Sequence, residues 1–401
     1  MEELILGELT ERKIGYGIVQ PGESTIGGVP VIKVNNIISG LKRIQDLDTT
    51  HPENDQKYRK TRLNGGEIII SVVGTIGKTA IVPMDFKGCN LVRATALIDI
   101  KDPILSRWVK YYIDSPKGQS YINGNLNTTV QPTLNIKSLV EMPIPFYGRE
   151  YAEKVVAILS KIDDKIENNR KINDNLEQQA KALYKSWFVD FEPFKDGDFV
   201  ESELGLIPKG WKVAELSSVT KQITEKVKDR TDVKVLSPVN TGELVLSEEY
   251  FTKQVFSESV SKYIVVKPLQ FAYNPARVNI GSLGMNTFTF DGCVSPVYVV
   301  FECESNYHHF FDYYRKTDGF KEEVLTRAIG GVRQTLSYKD FSLMKLVYPP
   351  QEVVEKFNSI YGKLLDNINS IKSENTKLSD LRDTLLPKLM SGELKINEID
   401  C

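Results

Sequence analysis

Histidine and cysteine are scarce in this chain of 401 residues. Three histidines, His51, His308 and His309, leave few general bases for chemistry near neutral pH. Four cysteines, Cys89, Cys293, Cys303 and Cys401, include no Cys-x-x-Cys pair, so neither a zinc cluster nor a redox dithiol is expected. Cys89 and Cys293 read as buried structural thiols. No apolar run approaches the ~20 residues that cross a bilayer. The start, Met1-Glu2-Glu3-Leu4, is acidic where a secretory leader is basic and then apolar. The expected location is therefore the cytoplasm, with no membrane partner. Neither sign of charge dominates, since the net charge is −2. Its distribution is uneven: residues 1–148 and 205–350 each carry +2, while 149–204 carries −4 and 351–401 carries −2. A small positive excess on two larger segments is a weak pointer to a polyanion.

What the chain does contain is a repeat, about 202 residues apart. Phe86-Lys87-Gly88-Cys89 returns as Phe290-Asp291-Gly292-Cys293, and Tyr111-Tyr112 as Tyr313-Tyr314. Val130, Thr133-Leu134 and Lys137 return as Val332, Thr335-Leu336 and Lys339. Solenoid periods are shorter. A two-fold repeat of this size predicts two similar heads, which suits a target made of two separated halves, duplex DNA being the commonest.

Each head reads as mixed α/β. In the first, β-rich runs at Val29–Val34, Glu67–Val73 and Thr95–Ile100 alternate with Gly, Asn and Pro. A helix is expected around Ile104–Ile113, stopped before Pro116, and Met142–Pro145 should be extended. From Glu150 to about Asp190 there is neither Gly nor Pro, which permits one long helix. Its apolar seam steps by four and three through Val155, Leu159, Ile162, Ile166, Asn169, Asn173, Leu176, Ala180, Leu183 and Trp187. The second copy runs Phe357, Tyr361, Leu364, Ile368, Ile371, Asn375, Leu378, Arg382, Leu385 and Leu389, with Pro387 expected to break the last turn. The two seams are expected to pair with each other, antiparallel, through Leu159, Ile162, Ile166, Leu176, Leu364, Ile368, Ile371 and Leu378. Asn169, Asn173 and Asn375 either fix register inside the seam or face solvent at a defect in it. The expected fold class is α+β. Residues 1–148 form one head, 149–190 a helix, 191–204 a linker, 205–350 the second head, 351–390 the second helix and 391–401 a tail.

Chemistry is hard to find. Gly74-Thr75-Ile76-Gly77-Lys78-Thr79 imitates a phosphate loop, but the glycine required five residues before Gly77 is Val72. Gly77 aligns with Gly281, so a glycine-dependent turn that exposes Lys78 is expected instead. Asn274-Pro275 imitates an amino-methyltransferase motif, but Ala276-Arg277 follow and no glycine-rich cofactor loop is present. No catalytic residue and no metal ligand is assigned. The polar loops are more suggestive. Asn123–Gln131 is rich in amides and hydroxyls, and its counterpart is Thr326–Gln334. Asn and Gln pair with adenine edges and Arg with guanine; the bland alternative is a solvated loop ahead of a Thr-Leu strand start. The candidate DNA-binding set is Lys78, Arg93, Asn125, Asn127, Thr128 and Gln131 in the first head, and Arg277, Asn279, Arg327, Arg333 and Gln334 in the second. Within it, Lys78, Arg93, Arg277 and Arg333 are expected mainly on phosphates.

The stretch Leu183-Tyr184-Lys185-Ser186-Trp187-Phe188-Val189-Asp190-Phe191-Glu192-Pro193-Phe194, followed by Ser202–Trp211, closely resembles the central region of type I restriction-modification specificity subunits. Leu385-Leu386-Pro387-Lys388-Leu389-Met390-Ser391-Gly392-Glu393-Leu394 resembles that family's C-terminal signature. The order head, helix, head, helix extends the likeness to the whole chain, although the first head lacks the Pro-x-Gly-Trp entry seen at Pro208–Trp211. The resemblance implies two target-recognition domains, each reading half of a bipartite DNA site. The long helices would form an antiparallel coiled coil that spaces the domains in a pseudo-two-fold molecule and docks two methyltransferase subunits. S-adenosylmethionine, ATP and Mg would belong to those subunits and to a motor-endonuclease partner, with no cofactor in this chain. The rival readings are a coiled-coil scaffold that does not bind DNA, and an orphan modification or phage-defence assembly of the same architecture.

Overall fold

The computed structural model describes residues 2–38, 40–41, 43–127, 132–251, 256–257, 259–328 and 335–394. It is mixed α/β and divides into two compact units. The first comprises Met1–Lys171 with Lys372–Cys401, and the second Ile172–Ile371. Each unit therefore joins a head to half of each long helix.

In the first unit a four-stranded antiparallel sheet runs in the order Arg12–Tyr16, Thr95–Asp99, Ile68–Ser71, Thr79–Ile81. The central strand Ile68–Ser71 is buried at every position. Its side chains alternate between faces, and both faces are covered: Ile68 and Ile70 join one apolar cluster while Ile69 joins another. That is why this strand has no polar face. A smaller sheet orders Thr49–Thr50, Val29–Ile32 and Asn90–Leu91, with Val31 beside Asn90 in a parallel pairing. The helix Pro103–Asp114 starts where Asp102 accepts the amides of Ile104 and Leu105, with proline in the first turn. It stops at Ser115-Pro116 and buries Trp108, whose Nε1 donates to the Pro145 carbonyl at 3.0 Å.

The second unit repeats this order. Thr220–Ile223, Val299–Cys303, Phe271–Tyr273 and Leu283–Met285 form the antiparallel sheet, with Ala272 opposite Val300 as Ile69 is opposite Leu97. Lys234 pairs in parallel with Gly292, as Val31 does with Asn90. Here the core is aromatic: Phe271 stacks on Phe301 at 5.2 Å, and Phe311 meets both edge-on. Cys89, just before the strand Asn90–Leu91, and Cys293, within the strand Gly292–Val294, are both buried, and burial pushes both thiols up to about 11, which keeps them protonated and inert.

The long helices span Arg149–Phe188 and Gln351–Met390. In the first unit, Asp163 bonds Arg382 at 3.2 Å and Asn169 bonds Asn375 at 2.9 Å, so the two segments run in opposite directions. In the second unit, Asn173 Nδ2 donates to the Ile368 carbonyl and Phe188 meets Phe357 at 5.0 Å, again in opposite directions. Asn169 and Asn173 are buried rather than solvent-facing. Asn169 donates to Asn375 and Glu374, which satisfies its amide inside the seam.

Three expectations need correction. The seam ends on Tyr184 and Phe188, which are buried, whereas Leu183 and Trp187 are only partly covered. A straight helix drifts about 20° per heptad, and the aromatic core of the second unit captures the pair that the drift turns toward it. Pro387 does not break the second helix, which continues to Met390. Leu386, Leu389 and Met390 are buried in the first unit's core, and their burial offsets the hydrogen bond that proline removes. The linker expected at 191–204 is not open chain, because Phe199–Ser202 pairs with Gly205–Pro208 in a hairpin.

Candidate nucleic-acid interface

Strand register decides which loops meet. In the first unit, Tyr16 lies opposite Ala96, Ser71 opposite Thr95 and Ile70 opposite Thr79. The loops 17–28, 72–78 and 92–94 therefore leave one end of the same sheet. Backbone bonds tie them together: Arg93 N–H donates to Ile18 O at 2.8 Å, and Val72 N–H to Ala94 O at 2.8 Å. Leu134 N–H donates to Val72 O at 2.9 Å, which adds the short hairpin of Leu126–Asn127 with Thr133–Leu134. Gly17 is required at this junction, since a Cβ there would lie 2.1 Å from the Leu91 carbonyl oxygen.

Lys78, Arg93 and Asn127 are exposed on this assembled surface. Lys78 follows Gly77, whose φ of +81 closes the turn. The Gly77 N–H is spent on Ser71 O and the Lys78 N–H on Ser71 Oγ, each at 2.9 Å. These amides cannot cradle a phosphate, and a strand follows rather than a helix, so the apparent nucleotide loop is a hairpin turn. Asn125 lies at the end of the helix Pro116–Gly124, with its side-chain amide donated to Tyr121 O at 2.8 Å. Thr128 and Gln131 lie outside the described residues.

The second unit builds the same end from different side chains. Tyr273 is opposite both Leu283 and Val299, so the loops 274–282 and 295–298 leave together. Leu336 N–H donates to Pro275 O at 3.1 Å, the counterpart of Leu134 to Val72. Arg277 is exposed and Asn279 half-buried on the first of these loops. Asn274 Oδ1 accepts the Ala276 N–H at 3.0 Å, so it serves a turn and not a methyl-transfer site. Arg327 ends the helix Asp318–Arg327, which packs on the turn Val278–Ile280, and Glu323 holds it at 2.6 Å. Arg333 and Gln334 lie outside the described residues.

Ion pairing differs among the cations. Arg12, Arg230 and Arg315 are each held by carboxylates. Lys78, Arg93 and Arg277 form no ion pair among the described residues. Cations left unpaired at the rim of a loop cluster are available to an anionic ligand. Exposed apolar side chains stand at the same ends, namely Tyr16 and Val19 in the first unit and Ile280 and Val297 in the second, and none of them is among the candidates read from the sequence. Their signal was faint: an apolar residue inside a stretch otherwise rich in Gly, Asn and Pro.

A family model described as the type I restriction modification DNA specificity domain matches residues 3–178. The specificity subunit of the type I restriction enzyme MjaIX from Methanocaldococcus jannaschii is 28% identical over 310 residues, covering 75% of this chain and 71% of that protein. Over these segments the chain is similar to type I restriction-modification specificity subunits. The EcoBI specificity subunit of Escherichia coli is 27% identical over 190 residues, 45% of this chain and 40% of its own length. The crystal structure of the type I restriction-modification S subunit from M. genitalium superposes with a TM-score of 0.52 at 14% identity. It covers 97% of this chain and 95% of that one, which establishes a shared fold. No described helix is long and apolar enough to cross a membrane.

Salt dependence tests the phosphate assignment. Lys78→Ala, Arg93→Ala and Arg277→Ala should each weaken DNA binding uniformly across sequences and reduce the slope of log affinity against log salt by about one. Three variants with the parent's affinity and slope would remove these residues from the interface.

Proposed function

We propose that this chain is the non-catalytic DNA-recognition subunit of a cytoplasmic type I complex, and that each unit reads one half of a bipartite site. One observation carries the reading: both units have the same strand order, and both gather an unpaired cation and amide side chains at the same end of the sheet. A common scaffold with different side chains suits two half-sites of different sequence. The antiparallel helix segments support a coiled coil that spaces the two target-recognition domains in a pseudo-two-fold molecule. In this reading the coil also docks two methyltransferase subunits. S-adenosylmethionine, ATP and Mg act on those subunits and on a motor-endonuclease partner, and this chain supplies the address.

Binding of the chain, assembled with its methyltransferase partner, to a random duplex library tests the proposal. Enrichment of two short sequence blocks separated by a fixed gap is expected. Recovery of unselected sequence would support a scaffold that does not read DNA.

A further inference from the structure

The loop after Phe271–Tyr273 is fixed at more points than a connection needs. Arg277 N–H donates to Asn274 O at 2.9 Å, Ser282 N–H to Arg277 O at 3.1 Å, and Ser282 Oγ to Pro238 O at 2.7 Å. Val278 anchors the loop in the core. Gly281 has φ +95, and a Cβ there would lie 2.7 Å from the Asn240 carbonyl oxygen, so the turn tolerates no other residue without strain. Between these fixed points stand three side chains that do not hold the loop: Arg277, Asn279 and Ile280, the last 58% exposed. The helix that packs on this turn carries Leu325, 53% exposed. Val297, 71% exposed, lies on the loop 295–298 that leaves the same sheet end.

A single exposed apolar residue needs no explanation. Ile280 on a rigid loop, with an unpaired arginine and an amide at nearby positions and two more exposed apolar residues on elements that pack on the loop or leave the same sheet end, makes a surface of mixed chemistry. Duplex DNA offers its match in the major groove, where guanine pairs with Arg, adenine with Asn, and thymine presents its C5 methyl as the apolar feature. A loop already locked in place loses little freedom when it binds.

Resting on the DNA-recognition reading, we propose that the patch centred on Ile280 reads a thymine methyl in the half-site of the second unit, beside the base edge taken by Asn279. The first unit lacks this device on its equivalent loop. Thr75 and Lys78 are exposed there, but Ile76 is packed against the core.

The test uses the complex with its methyltransferase partner and a duplex carrying the mapped site, with each thymine replaced in turn by deoxyuridine, which lacks only the methyl. One thymine in the second unit's half-site should prove sensitive, with binding about four-fold weaker, the value of one buried apolar carbon. Ile280→Ser should bind the thymine and uracil duplexes equally at that position and leave the scan of the other half-site unchanged. Because Ile280 faces solvent, the variant should keep the parent's melting temperature. Equal affinity for thymine and uracil throughout that half-site would overturn the proposal. So would a half-site without an A·T pair, or an Ile280→Ser variant that keeps the full four-fold loss. A complex with no sequence selectivity at all would overturn the DNA-recognition reading, and this proposal with it.

Discussion

Ile166→Asp will destabilise the first unit by about 4 kcal/mol or more at neutral pH. Ile166 is 4% exposed in the helix seam, and its carbonyl accepts the Asn375 amide at 3.4 Å. The substitution first forfeits the burial of a branched side chain, roughly 1.5–3 kcal/mol. It then places a carboxyl where water is excluded. Keeping it neutral at pH 7 against a solution pKa near 3.9 costs about 4 kcal/mol, and leaving it charged without a partner costs more. Ile166→Val removes one methyl and should cost only about 1 kcal/mol. Urea unfolding of the two variants separates these values. The proposed docking of methyltransferase subunits on the coil should weaken with the aspartate variant alone. An aspartate midpoint equal to that of the valine variant would mean that position 166 is not enclosed.

The second large effect concerns Asp312. Its side chain is 8% exposed and is bonded by Arg315 Nε at 2.9 Å and Lys316 Nζ at 2.7 Å. Arg315, itself buried, also donates to the carbonyls of Leu283 and Gly242, and so ties the end of the helix His308–Tyr314 to the strand Leu283–Met285 and to the turn at Gly242. Burial alone pushes the Asp312 carboxyl up, but the two cations outweigh it and hold the carboxyl down at about 2. A carboxyl held below its unfolded value adds stability that is complete above that value and disappears as pH falls through the folded one. The window therefore runs from about pH 4 down to about pH 2, and its depth is about 2 kcal/mol. Asp312→Ala leaves the Arg315 guanidinium buried without its carboxylate and should cost about 3 kcal/mol at pH 7. Asp312→Asn keeps the shape but not the charge, and the parent-minus-variant difference in unfolding free energy should shrink between pH 4 and pH 2. A difference that is flat across that window would mean that the ion pair contributes nothing.

The parts legible in the sequence are those set by local rules. A stretch from Glu150 to Asp190 without Gly or Pro forms one helix, and Asp102-Pro103 starts another. Gly77 and Gly281 both take the left-handed turn that their alignment implied. The rest depends on partners remote in the chain. The parallel pairing of Val29–Ile32 with Asn90–Leu91 leaves no trace in either segment's periodicity, because two-residue contacts are too short to show one. Tyr184 and Phe188 displace Leu183 and Trp187 from the seam because an aromatic core, itself unreadable from the helix, awaits them. The candidate interface shows the same division. Residue type picked out Lys78, Arg93, Arg277 and Arg333 as candidate phosphate contacts. Only the bond from Val72 to Ala94, with Arg93 against Ile18, places Lys78 and Arg93 on one surface. Ile280 escaped notice because its meaning lies in the rigidity of the loop that carries it, and hydrogen bonds to Asn274, Arg277 and Pro238 create that rigidity.

In the proposed reading each unit addresses its own half of one DNA site. Mapping methylated adenines in cells that carry either of two variants tests it most directly. The first variant changes Asn127 in the first unit; the second changes Asn279 in the second unit. Lost base contacts should each relax or alter one position by about 1–3 kcal/mol, and distant sites should act additively. Each variant should alter one half of the methylated sequence and leave the other half and the gap unchanged. A variant that rewrites both halves, or that changes the gap between them, would contradict that reading.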